Sequence, residues 1–282
     1  MKKYIYIIVL ACIVNACSIS NGVDSAVEEK SEYDIVVEQI NALNREYFKD
    51  STKAGWWRRV LLLAVADAGV FIGTHDISAS ISASTLAWTV SATIFEDDGG
   101  NSGPVTQVNG PRDDGSEGSG LDITDGTGSN VGEIHNTVIL ELYDEYGDAL
   151  CSMPTFEVMN LVAGKVADLT DTAPNMVYAE VSGAVGEMEA YTDLYLNSSN
   201  IDEYIDGLIE MHPEAAAELE VLRPTLEGFQ FVDPETDDGD YGRELIEIID
   251  GSGLGPRSKT NLKAGISIAN ASVKLWGDVE QN

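Results

Sequence analysis

Residues 54–95 read AGWWRRVLLLAVADAGVFIGTHDISASISASTLAWTVSATIF. The fold depends on whether this weakly charged run crosses a membrane, packs as helices or packs as strands. From Val60 to Thr74 it is apolar apart from Asp67. A membrane-spanning helix needs about 20 such residues, and an ionised Asp at mid-depth costs roughly 2.5–3.5 kcal/mol. Ile77–Phe95 has no charge but carries eight Ser or Thr, so neither half suits a lipid interior. Small residues recur four apart, at Gly69 and Gly73 and again at Ala79, Ala83 and Ala87. That spacing lines one side of a helix and lets a neighbouring backbone approach closely. The run is therefore expected to form a helical hairpin at the centre of an all-α, multi-helix bundle. Two alternatives stay open. The alternation ISASISAS at 77–84 suits strands, and residues 54–95 could insert as a pore-forming hairpin with Trp56, Trp57, Arg58 and Arg59 as interfacial anchors.

Outward from this run the chain reads as helices. Val36, Ile40, Leu43 and Tyr47 fall at helical spacing within Tyr33–Phe48, and Ile134, Val138, Leu142 and Tyr146 do so behind a cap at Asn130. Gly147 is a natural stop for that second helix. Further helices are expected at Pro154–Asp168, Pro174–Leu196, Ile201–Met211, Pro213–Leu222 and Tyr241–Ile249. Leu262, Ile266, Ala269, Val273 and Trp276 trace a seven-residue apolar repeat in the last one. No hairpin signal and no strand–helix alternation competes with the all-α reading. Residues 96–132, with ten Gly and two Pro, cannot bury enough apolar surface to offset their ordering entropy. They are expected to be a long flexible acidic loop, or a calcium loop, since clustered Asp and Gly suit a hard cation.

The 282 residues carry 16 basic and 48 acidic side chains, a formal net charge of −32, with 44% hydrophobic content. Such a chain has enough apolar residues for a core. Its charge argues against nucleic acid or anionic lipid headgroups as partners, because both require a basic surface.

Residues 1–16, MKKYIYIIVLACIVNA, have a basic start, a short apolar core and a small residue before Cys17. These are the parts of a secretory signal peptide. Val14-Asn15-Ala16-Cys17 resembles the lipobox of bacterial lipoproteins, which implies a diacylated Cys17 as the new N-terminus. Cys12 is a rival site that would leave a shorter apolar core. Residues 17–32 then form a tether and 33–282 a single helical domain. Cys151 would remain as the sole thiol, without a disulfide partner. Lipoproteins exported to the cell surface in the Bacteroidetes resemble one another in an acidic cluster directly behind the Cys. Here Ser18-Ile19-Ser20-Asn21 follow it. A lipid-anchored envelope protein, on the outer membrane and facing either side, is the expectation.

Candidate chemistry is sparse. The sequence has no HExxH, GxSxG, P-loop or CxxC pattern. Among its three His, His75 lies eight residues from Asp67, roughly 80° away on a continuous helix, so a shared site needs a break at Gly73. His212 precedes Pro213 and is expected to border a turn. His135 stands in VGEIHNTVILELYDE with Glu133 and Asn136 in the first turns of a helix. Glu133 and His135 are candidates for general base and acid in a hydrolase-like enzyme, with Asn136 beside them. In the other reading His135 and Asn136 bond to a loop packed on their helix. Asp233, Glu235, Asp237 and Glu244 occupy positions 1, 3, 5 and 12 of a twelve-residue calcium loop, but the turn glycine, Gly239, stands one place late. The Gly132-x-x-His135-Asn136 helix start, with the leader and WWRRVLLLAVADAGVFIG, resembles a group of uncharacterised Bacteroidetes lipoproteins. That resemblance implies envelope location and no particular activity. The sequence thus points to an anchored protein with a binding or structural role; an enzyme using Glu133 and His135 and a membrane-active protein are the alternatives.

Overall fold

In the computed structural model, residues 30–49, 57–95, 131–170, 174–232 and 240–281 are described. They form ten α-helices: α1 (Glu32–Tyr47), α2 (Trp57–Thr74), α3 (Ile77–Phe95), α4 (Val131–Tyr146), α5 (Thr155–Thr170), α6 (Pro174–Asn197), α7 (Ile201–Met211), α8 (Ala216–Phe229), α9 (Asp240–Gly251) and α10 (Pro256–Gln281). Two 3-10 turns, Gly147–Ser152 and Pro213–Ala215, complete the regular structure, and no strand occurs among the described residues. The leader, Cys17, Asn130 and the segments 96–130 and 233–239, which carry Asp233 and Asp237, lie outside the described residues.

The fold-deciding run is helical in both halves. Every residue of α2 from Val60 to Val70 is buried, as befits a helix that is apolar nearly all round. α2 touches α3, α7, α8 and α10, with α10 its most extensive neighbour. α3 buries Ser78 to Thr89 against α2, α5 and α6. Helix carbonyls take up several of its buried hydroxyls, while Ser84 Oγ has no hydrogen-bond partner among the described residues. Thr85 donates to Ile81 O at 2.8 Å, Thr89 to Leu86 O at 2.9 Å, and Ser80 reaches across to Asp67 O of α2 at 2.7 Å. Trp88 of α3 stacks on Trp276 of α10 at 4.6 Å between centroids. Among the described residues, no helix is long and apolar enough to cross a membrane.

Gly69 and Gly73 do allow close packing, but what they admit is side chains rather than another backbone. A Cβ at Gly69 would collide with Leu208 Cδ1, and one at Gly73 would sit 2.6 Å from His212 Cδ2. The α2–α3 corner is tight. His75 has a positive φ of 58°, an uncommon conformation outside glycine, and Asp76 caps α3 by accepting from Ser78 N at 2.8 Å.

α4 begins at Val131, as expected for a helix capped at residue 130, so the expected end of the loop at 132 overlaps its first two residues. One helix end differs from expectation. α8 continues through Pro224 to Phe229 rather than ending at Leu222. Pro224 forfeits one helical hydrogen bond, but Leu219, Leu222, Leu226 and Phe229 are all fully buried, and that burial carries the helix past it. The corner of α1, α8 and α9 is pinned by Asn44, which donates to Pro224 O at 2.7 Å and accepts from the Tyr241 hydroxyl at 2.7 Å.

Candidate functional site

Three helices bring their few polar side chains to one point inside the core. α2 supplies Asp67, α4 supplies His135 and Asn136, and α10 supplies Ser272. Gly132 explains how α4 comes so near α10. A Cβ there would lie 2.7 Å from Ser267 O and 3.1 Å from Ala271 Cβ, so a larger residue would push the helices apart. One turn further along α4, His135 faces α2 and Asn136 faces α10. Asn136 donates its amide to Ala271 O at 3.0 Å, and its Oδ1 lies 2.9 Å from His135 Nδ1. A carbonyl oxygen can only accept, so Nδ1 carries the proton. His135 Nε2 then lies 3.2 Å from Asp67 Oδ2. Ser272 donates its hydroxyl to the same carboxylate oxygen.

Asp67 and His135 are both 0% exposed. Burial by itself pushes the imidazole toward neutrality. The Asp67 carboxylate, with the hydrogen bonds that the ring donates to Asp67 and Asn136, outweighs burial and holds the His135 pKa above its ordinary value. The Asp67 side chain thus favours the protonated form of the imidazole. The polar atoms here are incompletely satisfied among the described residues: Asp67 Oδ1 and the fully buried hydroxyl of Tyr204 on α7 have no hydrogen-bond partner, and His135 Nε2 has only its 3.2 Å approach to Asp67. Burial and then the Asp67 charge keep that phenol protonated well above its usual range.

The two acid–base candidates of α4 part company. Glu133 is exposed whereas His135 is buried, because residues two apart on a helix point to nearly opposite sides. They do not share a cleft. Asn136 joins His135, but its bond goes to the backbone of α10 and not to a loop. His75 is separated from Asp67, since α2 runs on through Gly73 to Thr74; its Nε2 lies 3.3 Å from Asn261 Nδ2. His212 caps the end of α7 before Pro213. There it stacks on Tyr191 of α6, whose hydroxyl lies 2.5 Å from Nε2, with Glu214 3.5 Å from Nδ1. Burial, then Glu187 and Glu214, raise the Tyr191 hydroxyl above its usual range, so the phenol is the donor. Cys151 is half-buried in the first 3-10 turn.

Of the calcium-loop residues, Glu244 is described: it is an exposed residue of α9, and partial burial, Glu247 and Glu46 raise its carboxyl pKa. Among the described residues no group of three His, Cys, Asp or Glu could hold a metal ion. Ser272 and Tyr204 escaped the sequence reading. The available signal was Asp67 itself, a lone acid in an apolar run that requires a partner wherever it is buried. No protein family, curated protein or solved structure matches this chain, so its function is argued from the sequence and this geometry.

Proposed function

We propose that this chain is a lipid-anchored protein of the bacterial envelope, held at the outer membrane through Cys17, whose role is binding or structural support. The observation that carries the reading is the complete burial of Asp67 and His135. General acid–base catalysis needs a side chain within hydrogen-bond reach of the substrate, and a substrate would have to part three helices to reach this one. Glu133 is exposed while His135 is buried, so the two do not share a cleft as an acid–base pair would. The leader with its Cys17 lipobox supports the anchor, and the likeness of Gly132-x-x-His135-Asn136 to Bacteroidetes lipoproteins agrees with it.

Labelling with a fatty-acid analogue in cells, followed by membrane fractionation, tests the anchor. Label and outer-membrane location are expected for the wild type and should be lost in Cys17→Ser; equal labelling of the variant would overturn the anchor. Turnover assays on ester, amide and phosphate substrates test the role. Activity that vanishes in a folded His135→Gln protein would replace the binding reading with an enzyme.

A further inference from the structure

We infer that Asp67 acts during export: its charge keeps the segment that becomes α2 from lodging in the lipid bilayer while the unfolded chain is threaded across. The inference rests on reading the chain as an exported envelope protein. α2 has 18 residues, and a helix of that length, at about 1.5 Å per residue, runs about 27 Å, close to the roughly 30 Å of a hydrocarbon core. From Val60 to Thr74 its only ionisable side chain is Asp67, near the middle of the helix. Leu in place of Asp at such a position shifts the balance toward lipid by about a hundredfold or more. Arg58 and Arg59 stand at the start of the run, where long basic side chains snorkel to the headgroups and do not oppose insertion. The deterrent therefore falls to Asp67.

In transit this carboxylate stands alone. His135 and Ser272, the groups that meet it in the fold, lie far downstream and cross the membrane after it. In an unfolded chain an aspartate is ionised at neutral pH, and lipid offers it neither water nor a partner.

The folded state gives no comparable reason for a carboxylate here. Asp67 is 0% exposed, its Oδ1 has no hydrogen-bond partner among the described residues, and its chain neighbours Val65, Ala66, Ala68 and Val70 are all buried and apolar. An apolar pair of similar volume in place of a buried charged one is often neutral or stabilising, so stability alone would favour Leu at both 67 and 135. The charge is useful before the fold exists. The competing use of a buried polar group is to fix the register of the bundle; in that case misfolding, and not the apolar length of α2, would decide where a variant stops.

Separating the inner and outer membranes of expressing cells on a density gradient, with the full chain and three variants, tests the inference. The wild type is expected at the outer membrane. Asp67→Leu should be held in the inner membrane, its inner-to-outer ratio raised about tenfold or more. His135→Leu breaks the same buried contact but keeps Asp67, so it should travel as the wild type does however much stability it loses. Asp67→Leu with His135→Leu, whose denaturation midpoint should recover, is still expected to stop in the inner membrane. A double variant that reaches the outer membrane in wild-type proportion would overturn the inference. So would a His135→Leu protein retained as strongly as Asp67→Leu, because misfolding would then set the destination. A wild type absent from the outer membrane would overturn the envelope reading and this inference together, whereas a wild type at the outer membrane with the double variant beside it overturns this inference alone.

Discussion

The Asp67–His135 pair and the Arg223 cluster are built from similar charged groups in opposite surroundings. Arg223, on α8, reaches Asp202 and Asp206 of α7 at 2.7 Å each and Glu220 at 3.1 Å. Its three acidic partners are 51–68% exposed, so water and salt screen every contact. Asp67 and His135 have one another and two flanking hydrogen bonds, and neither side chain is exposed to solvent. At the rim, losing a partner returns the survivor to solvent. In the core it strands a charge where solvation is absent, so the pair with fewer contacts is the one the fold cannot lose.

That contrast can be broken most forcefully by removing one buried partner. Asp67→Ala is expected to cost about 3–5 kcal/mol, read from the midpoint of chemical denaturation. Replacing Asp67 and His135 together by Leu should recover much of the loss, since an apolar pair of similar volume strands no charge. A double variant as unstable as the single one would mean that packing, and not charge pairing, holds this centre.

Gly132→Ala probes how α4 is seated. On a free helix the change would gain about 1 kcal/mol in propensity. Here the new methyl meets Ser267 O at 2.7 Å, and overpacking of about 1–3 kcal/mol should turn the gain into a loss. Increased stability would show that the α4–α10 approach is looser than the geometry requires.

A smaller effect concerns pH. The His135 pKa is raised in the folded protein, so its contribution is fully present below the unfolded value of about 6.5 and is lost as pH rises through the folded pKa. Denaturation midpoints followed upward from pH 6 should fall more steeply for the wild type than for His135→Gln. Parallel profiles would argue for a neutral imidazole.

The smallest effect is expected at the rim. Arg223→Gln should cost only about 0.2–1 kcal/mol, diminishing with added salt. A loss as large as that from Asp67→Ala would erase the distinction between the two clusters.

The sequence by itself determined the helices. Apolar spacing of 3.6 residues sets each amphipathic face locally, as at Val36 and Ile40 of α1 or Leu262, Ile266, Ala269, Val273 and Trp276 of α10, all buried. The run Val60–Val70 of α2, apolar apart from Asp67, likewise announced its own burial. The members of the buried cluster were decided by the tertiary structure, because Asp67, His135 and Ser272 stand far apart in the chain and share no local period. The same reason separates Glu133 from His135: neighbours in sequence face opposite ways on a helix, whereas Asp67 meets His135 because Gly132 lets α4 close on α10. Pro224 makes the complementary point. Its local rule ends a helix, and the burial of Leu226 and Phe229 beyond it prevails. Local periodicity fixes which face of a helix is apolar; which other face it meets depends on the sum of many contacts, and that sum exists only once the chain has closed.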